Sequence, residues 1–152
     1  MFVWPISRHL LMEILADRIS DCIVARIVWE RLGYQPKGPI NETWLAGQST
    51  PADWRKAFPQ APEVIAQRKA SVQLTRSIPK EYKQLLKKKL NFPGYRIDEL
   101  YPRRTRRATA VNWLLAWLAS RGEELPEDGP LPDLLESYQD PSRGHPGDPI
   151  IN

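Results

Sequence analysis

The chain is predicted to fold as a mainly α-helical, small single domain around one buried C-terminal helix, with at most a minor β element. Three observations predict this. Prolines, 15 among 152 residues, cut the chain into windows, and the long proline-free windows carry apolar residues at helical spacing. The strongest window, from 102 or 105 to 121, is apolar round most of its circumference, the pattern of a helix with little wet face. A chain of 152 residues also suits one domain, able to bury about 68–70% of its unfolded surface without metal or disulfide. Proline and glycine together, 23 residues, stay below the ~25–30% that marks disorder.

Each element follows from a local signal. Ser7 is a plausible N-cap, with Ile6 and Leu11 spaced as a hydrophobic staple, and Leu10, Leu11, Ile14 and Leu15 form a helical stripe. Ser20 caps a second helix carrying Ile23, Val24, Ile27, Val28 and Leu32, with Gly33 as its stop. Leu11, Leu15, Ile19, Ile23 and Ile27 also step by four and would suit one long helix; two are expected. Between 34 and 61 the pattern dissolves among Pro36, Gly38, Pro39, Pro51 and Pro59, with Trp44, Trp54 and Phe58 as anchors. Thr50-Pro51 reads as a cap followed by proline at the first helical position, opening a short helix to about 57, and another short helix is expected after Pro62. Val72, Leu74 and Thr75 leave 71–77 open between strand and helical turn. After Pro79, Tyr82, Leu85, Leu86 and Leu90 mark one helix face and Lys80, Lys83, Lys87 and Lys88 the other, ending at Asn91, Pro93 and Gly94. The central helix carries Val111, Trp113, Leu114, Leu115, Trp117 and Leu118 and stops at Gly122. The helical domain thus spans 6–121. Residues 122–152 form an acidic, proline-rich, partly disordered tail in which Leu131, Leu134, Leu135 and Tyr138 suit one short helix.

At this point a resemblance enters. Leu74-Thr75-Arg76-Ser77-Ile78-Pro79, then Lys83-Gln84-Leu85-Leu86, and above all the arginine-rich run from Pro102-Arg103-Arg104-Thr105-Arg106-Arg107 to Leu114-Leu115 resemble a cyanobacterial family of small uncharacterised proteins, the domain of unknown function 1823. The likeness runs over about 10–121, including Val28-Trp29 and Leu32-Gly33-Tyr34, and leaves out the acidic tail. It implies a lineage and a domain, and no catalytic residue.

Enzyme chemistry is not expected. There is no G-x-G-x-x-G, P-loop, H-E-x-x-H or G-x-S-x-G. Ser142, His145 and Asp148 fall in the tail without a scaffold, Ser7 and His9 at a helix start, and the adjacent Asp98 and Glu99 point apart. Cys22, between apolar neighbours, reads as a buried small hydrophobe. One cysteine and two histidines build neither a disulfide nor a zinc site, so no cofactor or metal is expected. The longest uncharged run, 108–120, is too short for the ~20 residues of a membrane span, and no basic leader precedes an apolar block. A cytoplasmic address is expected.

Charge points to the partner instead. The net +4 hides a balanced stretch over 1–67, a net +10 over 68–107 and a net −7 over 122–152. Arg103, Arg104, Arg106 and Arg107 crowd the start of the central helix, where the positive end of the dipole disfavours each by about 0.3–1 kcal/mol. An anion bound there would explain them; pairing with Asp98, Glu99 or tail acids, or simply staying solvated, is the bland alternative. Lys80, Lys83, Lys87, Lys88 and Arg76 extend the surface, and Tyr82, Tyr95 and Tyr101 interleave aromatic rings of the kind single strands stack on. The expected function is non-catalytic binding of an anionic macromolecule, first a nucleic acid (RNA or a single strand), with the tail as a candidate mask over the cations. An acidic protein surface is the other anionic partner, and the alternative function is an assembly factor or adaptor that holds another protein through tryptophan and arginine side chains.

Overall fold

The protein is described by a computed structural model covering residues 3–38, 43–136 and 140–152. It is mainly α, with a two-stranded sheet as its β element and a long C-terminal helix.

Helix α1, Arg8–Leu15, starts where Ser7 Oγ accepts the Leu10 amide at 3.1 Å. Helix α2, Asp21–Leu32, starts where Ser20 Oγ accepts the Ile23 amide at 3.3 Å. Two helices form rather than one because Asp17, at φ 62°, turns the backbone left-handed between them. Gly33 ends α2 at φ 85°, and a Cβ there would stand 2.4 Å from Ser49 Oγ, so both conformation and space require glycine. The antiparallel hairpin of β1, Gln35–Lys37, and β2, Thr43–Leu45, pairs Pro36 with Trp44. It carries Trp44 against Trp29 at 5.7 Å between ring centroids.

Helix α3 is Ala52–Ala57, with Pro51 one place earlier than expected, at the N-cap; Thr50 Oγ1 accepts the Gly47 amide instead of capping the helix. The helix expected after Pro62 is only a turn. The ambiguous 71–77 stretch belongs to α4, Arg68–Arg76. After Pro79 the expected helix breaks in two, a 3-10 turn at Lys80–Tyr82 and α5, Leu85–Leu90, which stops at the left-handed Asn91. Another 3-10 turn, Ile97–Glu99, leads into α6, Pro102–Ser120, with proline at its first position.

Helix α6 contacts α1, α2, α4 and α5, and buries Ala110, Val111, Leu114, Leu115 and Leu118 against them. Around it lie Leu10, Leu11, Ile14, Val24, Ile27, Val28 and Leu74, all essentially inaccessible. No short helix forms at Leu131, Leu134 and Leu135; Tyr138 lies outside the described residues. Residues 122–136 and 140–152 instead lie along the domain, with Leu125, Leu131, Leu134 and Ile151 packed on its core.

Candidate anion-binding groove

The four arginines at the start of α6 do not converge on one ligand. Arg103 and Arg107 are buried, 0% and 1% exposed. They lie on the stripe that continues through Ala110, Leu114 and Leu118, which turns both side chains into the core. Arg103 makes a two-pronged ion pair with Asp17, at 2.6 and 2.7 Å, and its Nε donates to Asp21 at 2.8 Å. Arg107 Nη1 donates to the other Asp21 oxygen at 2.6 Å, while Nη2 reaches the carbonyls of Ile14 at 2.9 Å and Ile19 at 2.7 Å. His145 Nε2 sits 3.2 Å from Asp17 Oδ1. The anion that cations at a helix start require is therefore supplied by the α1–α2 turn. Burial pushes the Asp17 carboxyl up, but the Arg103 hydrogen bond and the charges of Arg107, Arg103 and His145 outweigh it and hold it below the usual aspartate value. Burial opposes the charged form of Arg103 too, and its bonds to Asp17 and Asp21 raise its pKa nonetheless.

The other two arginines part in different directions. Arg104 lies over the rings of Tyr95 and Tyr101, at 5.6 and 5.5 Å, and pairs with Glu99 at 3.6 Å. Arg106 Nη1 donates to the Ile65 and Ala66 carbonyls at 2.9 and 3.1 Å. An open anion site centred on Arg103 to Arg107 is thereby corrected: two members are interior, and the bland expectation of pairing holds for them with Asp17 and Asp21 rather than Asp98, Glu99 or the tail. The legible signal was the spacing itself. Two aspartates four apart, Asp17 and Asp21, match two arginines four apart on the apolar stripe of α6.

A different set of cations is close in sequence and open to solvent. Arg68, Lys69 and Arg76 on α4, and Lys80, Lys83, Lys87, Lys88 and Lys89 after it, are all exposed. Among the described residues none of these eight makes an ion pair, and Glu81 is the one acid within 68–90. Arg68 and Lys69 occupy the first turn of α4, which has no acidic residue and no side-chain cap from Gln67. The dipole argument made for α6 therefore applies to α4, where no internal carboxylate answers it.

Beside these cations runs a groove between α4 and α6. One stretch, about 420 Å³, is lined by Arg68, Val72, Thr75, Leu100, Tyr101, Thr105, Arg106 and Thr109. It continues through Thr75 and Thr109 into a smaller one reaching Lys83 and Asn112. Across α4, sharing Arg68 and Val72, a third depression of about 610 Å³ is lined by Lys69, Gln73, Arg76 and Asp53. The hydroxyls of Thr75, Thr105 and Thr109 donate to carbonyls of Ser71, Pro102 and Thr105, so donors toward an anion come chiefly from the cations. Burial and the neighbouring Arg68 charge both lower the pKa of Arg106, a like-charge pair at the groove's edge. Of the residues expected at a site, Arg106, Tyr101, Arg76 and Lys83 border these depressions. Lys80, Lys87 and Lys88 are exposed nearby in sequence, and Arg103, Arg104 and Arg107 are turned elsewhere.

His145 and Asp148, expected in a tail without a scaffold, are instead held by the domain: His145 is buried with its Nε2 facing Asp17, and Asp148 accepts the Asp21, Cys22 and His145 amides at 3.0, 3.2 and 3.0 Å. Among the described residues no group of three or more His, Cys, Asp or Glu side chains is placed to hold a metal, and no helix is long and apolar enough to cross a membrane. Cys22 is exposed, not buried as expected, and its thiol is pushed up to about 12 by desolvation and by Asp148, Glu63 and Asp21, which keeps it protonated and weakly nucleophilic.

Glu63 beside it is pushed up to about 7, first by burial and then by the charges of Asp148 and Asp21; its Oε1 has no hydrogen-bond partner. A carboxyl with a raised folded-state pKa binds its proton more tightly folded than unfolded, so stability falls as pH rises from about 4.5 to about 7. Glu63→Gln should flatten that part of the stability curve and leave the protein more stable than wild type at pH 8. Denaturant midpoints at pH 5 and pH 8 decide it; equal pH dependence in both proteins refutes the assignment.

The comparisons with known proteins agree on kind and give no chemistry. A family model described as "Domain of unknown function (DUF1823)" matches residues 5–119. A chain whose structure was determined by solution NMR is 46% identical to this one, over 81% of this chain and 100% of that chain, with a TM-score of 0.66. No curated protein matches.

Proposed function

Because the chain belongs to the domain of unknown function 1823 family, whose description carries no activity, we propose a function from its own residues: the α4–α6 groove binds an anionic macromolecule, a single-stranded nucleic acid first. The observation that carries this reading is the run of eight exposed cations over 68–90 without ion-pair partners among the described residues, of which Arg68 and Lys83 line the groove with its apolar and aromatic side and Lys69 and Arg76 the depression across α4. Val72 is 37% and Leu100 50% exposed, and Tyr101 is half-buried beside them, which offers base faces a surface while Arg68, Arg76 and Lys83 take phosphates. The chain is a binding protein in this reading, not an enzyme. The cytoplasmic address and the cyanobacterial lineage implied by the resemblance belong to the same proposal.

The adaptor reading keeps one supporting observation. Ile97, next to the groove's Leu100, is 90% exposed, an anchor suited to a protein partner. Its tryptophans support it less: Trp44, Trp54 and Trp113 are core residues, and Trp4, Trp29 and Trp117 pack against the core.

A titration with a single-stranded oligonucleotide at two salt concentrations tests the proposal. Log affinity should fall with log salt by about 0.7 per phosphate contact. Reversing Arg68, Lys69 and Arg76 to glutamate should weaken binding about a hundredfold or more, at ~1 kcal/mol or more per lost contact. Binding that ignores both salt and the reversals, or no binding at all, overturns it. Capture of a protein that survives nuclease treatment and depends on Ile97 would favour the adaptor instead.

A further inference from the structure

The first-turn amides of α4 are not open to solvent alone. Asn152 Oδ1 accepts the Arg68 amide at 3.1 Å, and the Asn152 main-chain oxygen accepts from Arg106 Nη2 at 2.7 Å. The Asn152 amide in turn donates to the Ala66 carbonyl at 2.9 Å. Two acceptor oxygens of one residue thus meet a helix N-terminus and a guanidinium at the edge of the groove, where Arg68 and Arg106 both line it. The segment is held close. Asp148 is fastened to the start of α2 and Ile151 packs on the core, so the last residues are tethered beside the site at high effective concentration.

We propose that residues 149–152 are an autoinhibitory arm, with the Asn152 oxygens standing where the oxygens of a bound phosphate would stand. This inference rests on the groove reading above and adds its regulation. It also replaces the mask expected of the acidic tail. The described tail acids lie elsewhere, with Glu127 on Arg8, Asp140 on Arg143 and Asp148 on α2, and none pairs with the α4–α5 cations. The arm itself, Pro149-Ile150-Ile151-Asn152, carries no charged side chain. Its effect is competition for the Arg68 amide and the Arg106 guanidinium. A site occupied most of the time by its own chain binds ligand more weakly in proportion to that occupancy.

The test uses the full chain, a variant lacking 149–152, the single variant Asn152→Ala and the control Ile150→Ala, whose side chain is 91% exposed. Two readouts are taken: phenylglyoxal modification of Arg106, followed by peptide mass spectrometry, and oligonucleotide affinity as a function of salt. Removal of the arm should increase Arg106 modification severalfold and tighten binding about tenfold. The salt slope should steepen by about 0.7, one added phosphate contact. Asn152→Ala should give part of the gain and Ile150→Ala none. Arg106 reactivity that does not change, or affinity that does not rise, overturns the arm while leaving the groove intact, provided charge reversal at Arg68, Lys69 and Arg76 still weakens binding about a hundredfold. If those reversals have no effect either, the groove reading fails and the arm fails with it. Should the deletion lower thermal stability, Asn152→Ala decides alone, and unchanged affinity in that variant refutes the proposal.

Discussion

Asp21→Ala should be the most damaging single substitution at the α1–α2 turn, lowering stability by about 3–5 kcal/mol, the typical cost of breaking a buried ion pair on one side. Asp21 is 1% exposed and accepts from both Arg103 and Arg107. Without it two buried guanidiniums face Asp17 alone, and neither can lose its proton. For a chain of this length each kcal/mol moves the melting temperature about 2–4 °C, so a fall of roughly 6–20 °C is expected. Asp21→Asn keeps the shape and removes the charge, and should recover little. A denaturant titration of both variants measures this, and a loss under about 1 kcal/mol for Asp21→Ala would show that the network is not holding the turn. Adding Arg107→Leu to Asp21→Ala should relieve part of the loss. Relief stays incomplete, because Arg107 also satisfies the Ile14 and Ile19 carbonyls. Acid acts on the same network. The depressed Asp17 carboxyl contributes stability above the unfolded value of 3.8 that is lost as pH falls through its folded value.

Local signals in the sequence carried most of the fold. Ser7, Ser20 and Gly33 bounded the first two helices, because capping chemistry needs only neighbours within three or four residues. The apolar circumference of 110–118 located the central helix, because burial on every side leaves that trace. The separation of α1 from α2 was harder to read, since the four-residue apolar steps run straight through the break. What breaks them is Asp17, held left-handed while its carboxylate is gripped by Arg103.

The site was legible only in part, for a related reason. Charge counts place cations along the chain but do not say which way a helix face turns. Arg103 and Arg107 share the core-facing stripe of α6, so the very position that made them conspicuous took them inside. Arg68 and Lys69 do not stand out in the sequence, because 71–77, the rest of α4, suits strand and helical turn alike. Without a helix there is no first turn at which to notice unpaired cations.

The least legible feature was the tail, and it supports the remaining large prediction. Its acceptors reach the first-turn amides of three helices: Pro126 and Glu127 carbonyls take the Arg8 and His9 amides of α1, Asp148 those of Asp21 and Cys22 in α2, and Asn152 that of Arg68 in α4. Each cap contributes about 0.5–2 kcal/mol. Leu125, Leu131, Leu134 and Ile151 add apolar burial, against the entropy of ordering the segment. Truncation after Arg121 should therefore destabilise the domain by about 2–4 kcal/mol and strip cover from the Asp17–Arg103 cluster, on which His145 and the Pro141 carbonyl now sit. Thermal melts of the two chains measure it; coincident melting would mean that the tail lies on the domain without stabilising it. No window of neighbouring residues could reveal such caps, because the donors and acceptors lie more than eighty residues apart. Wholesale removal of the tail is a poor probe of the groove, since lost stability would obscure any gained affinity; removal of 149–152 gives up only the Asn152 contacts and the Ile151 packing, and Asn152→Ala only the cap.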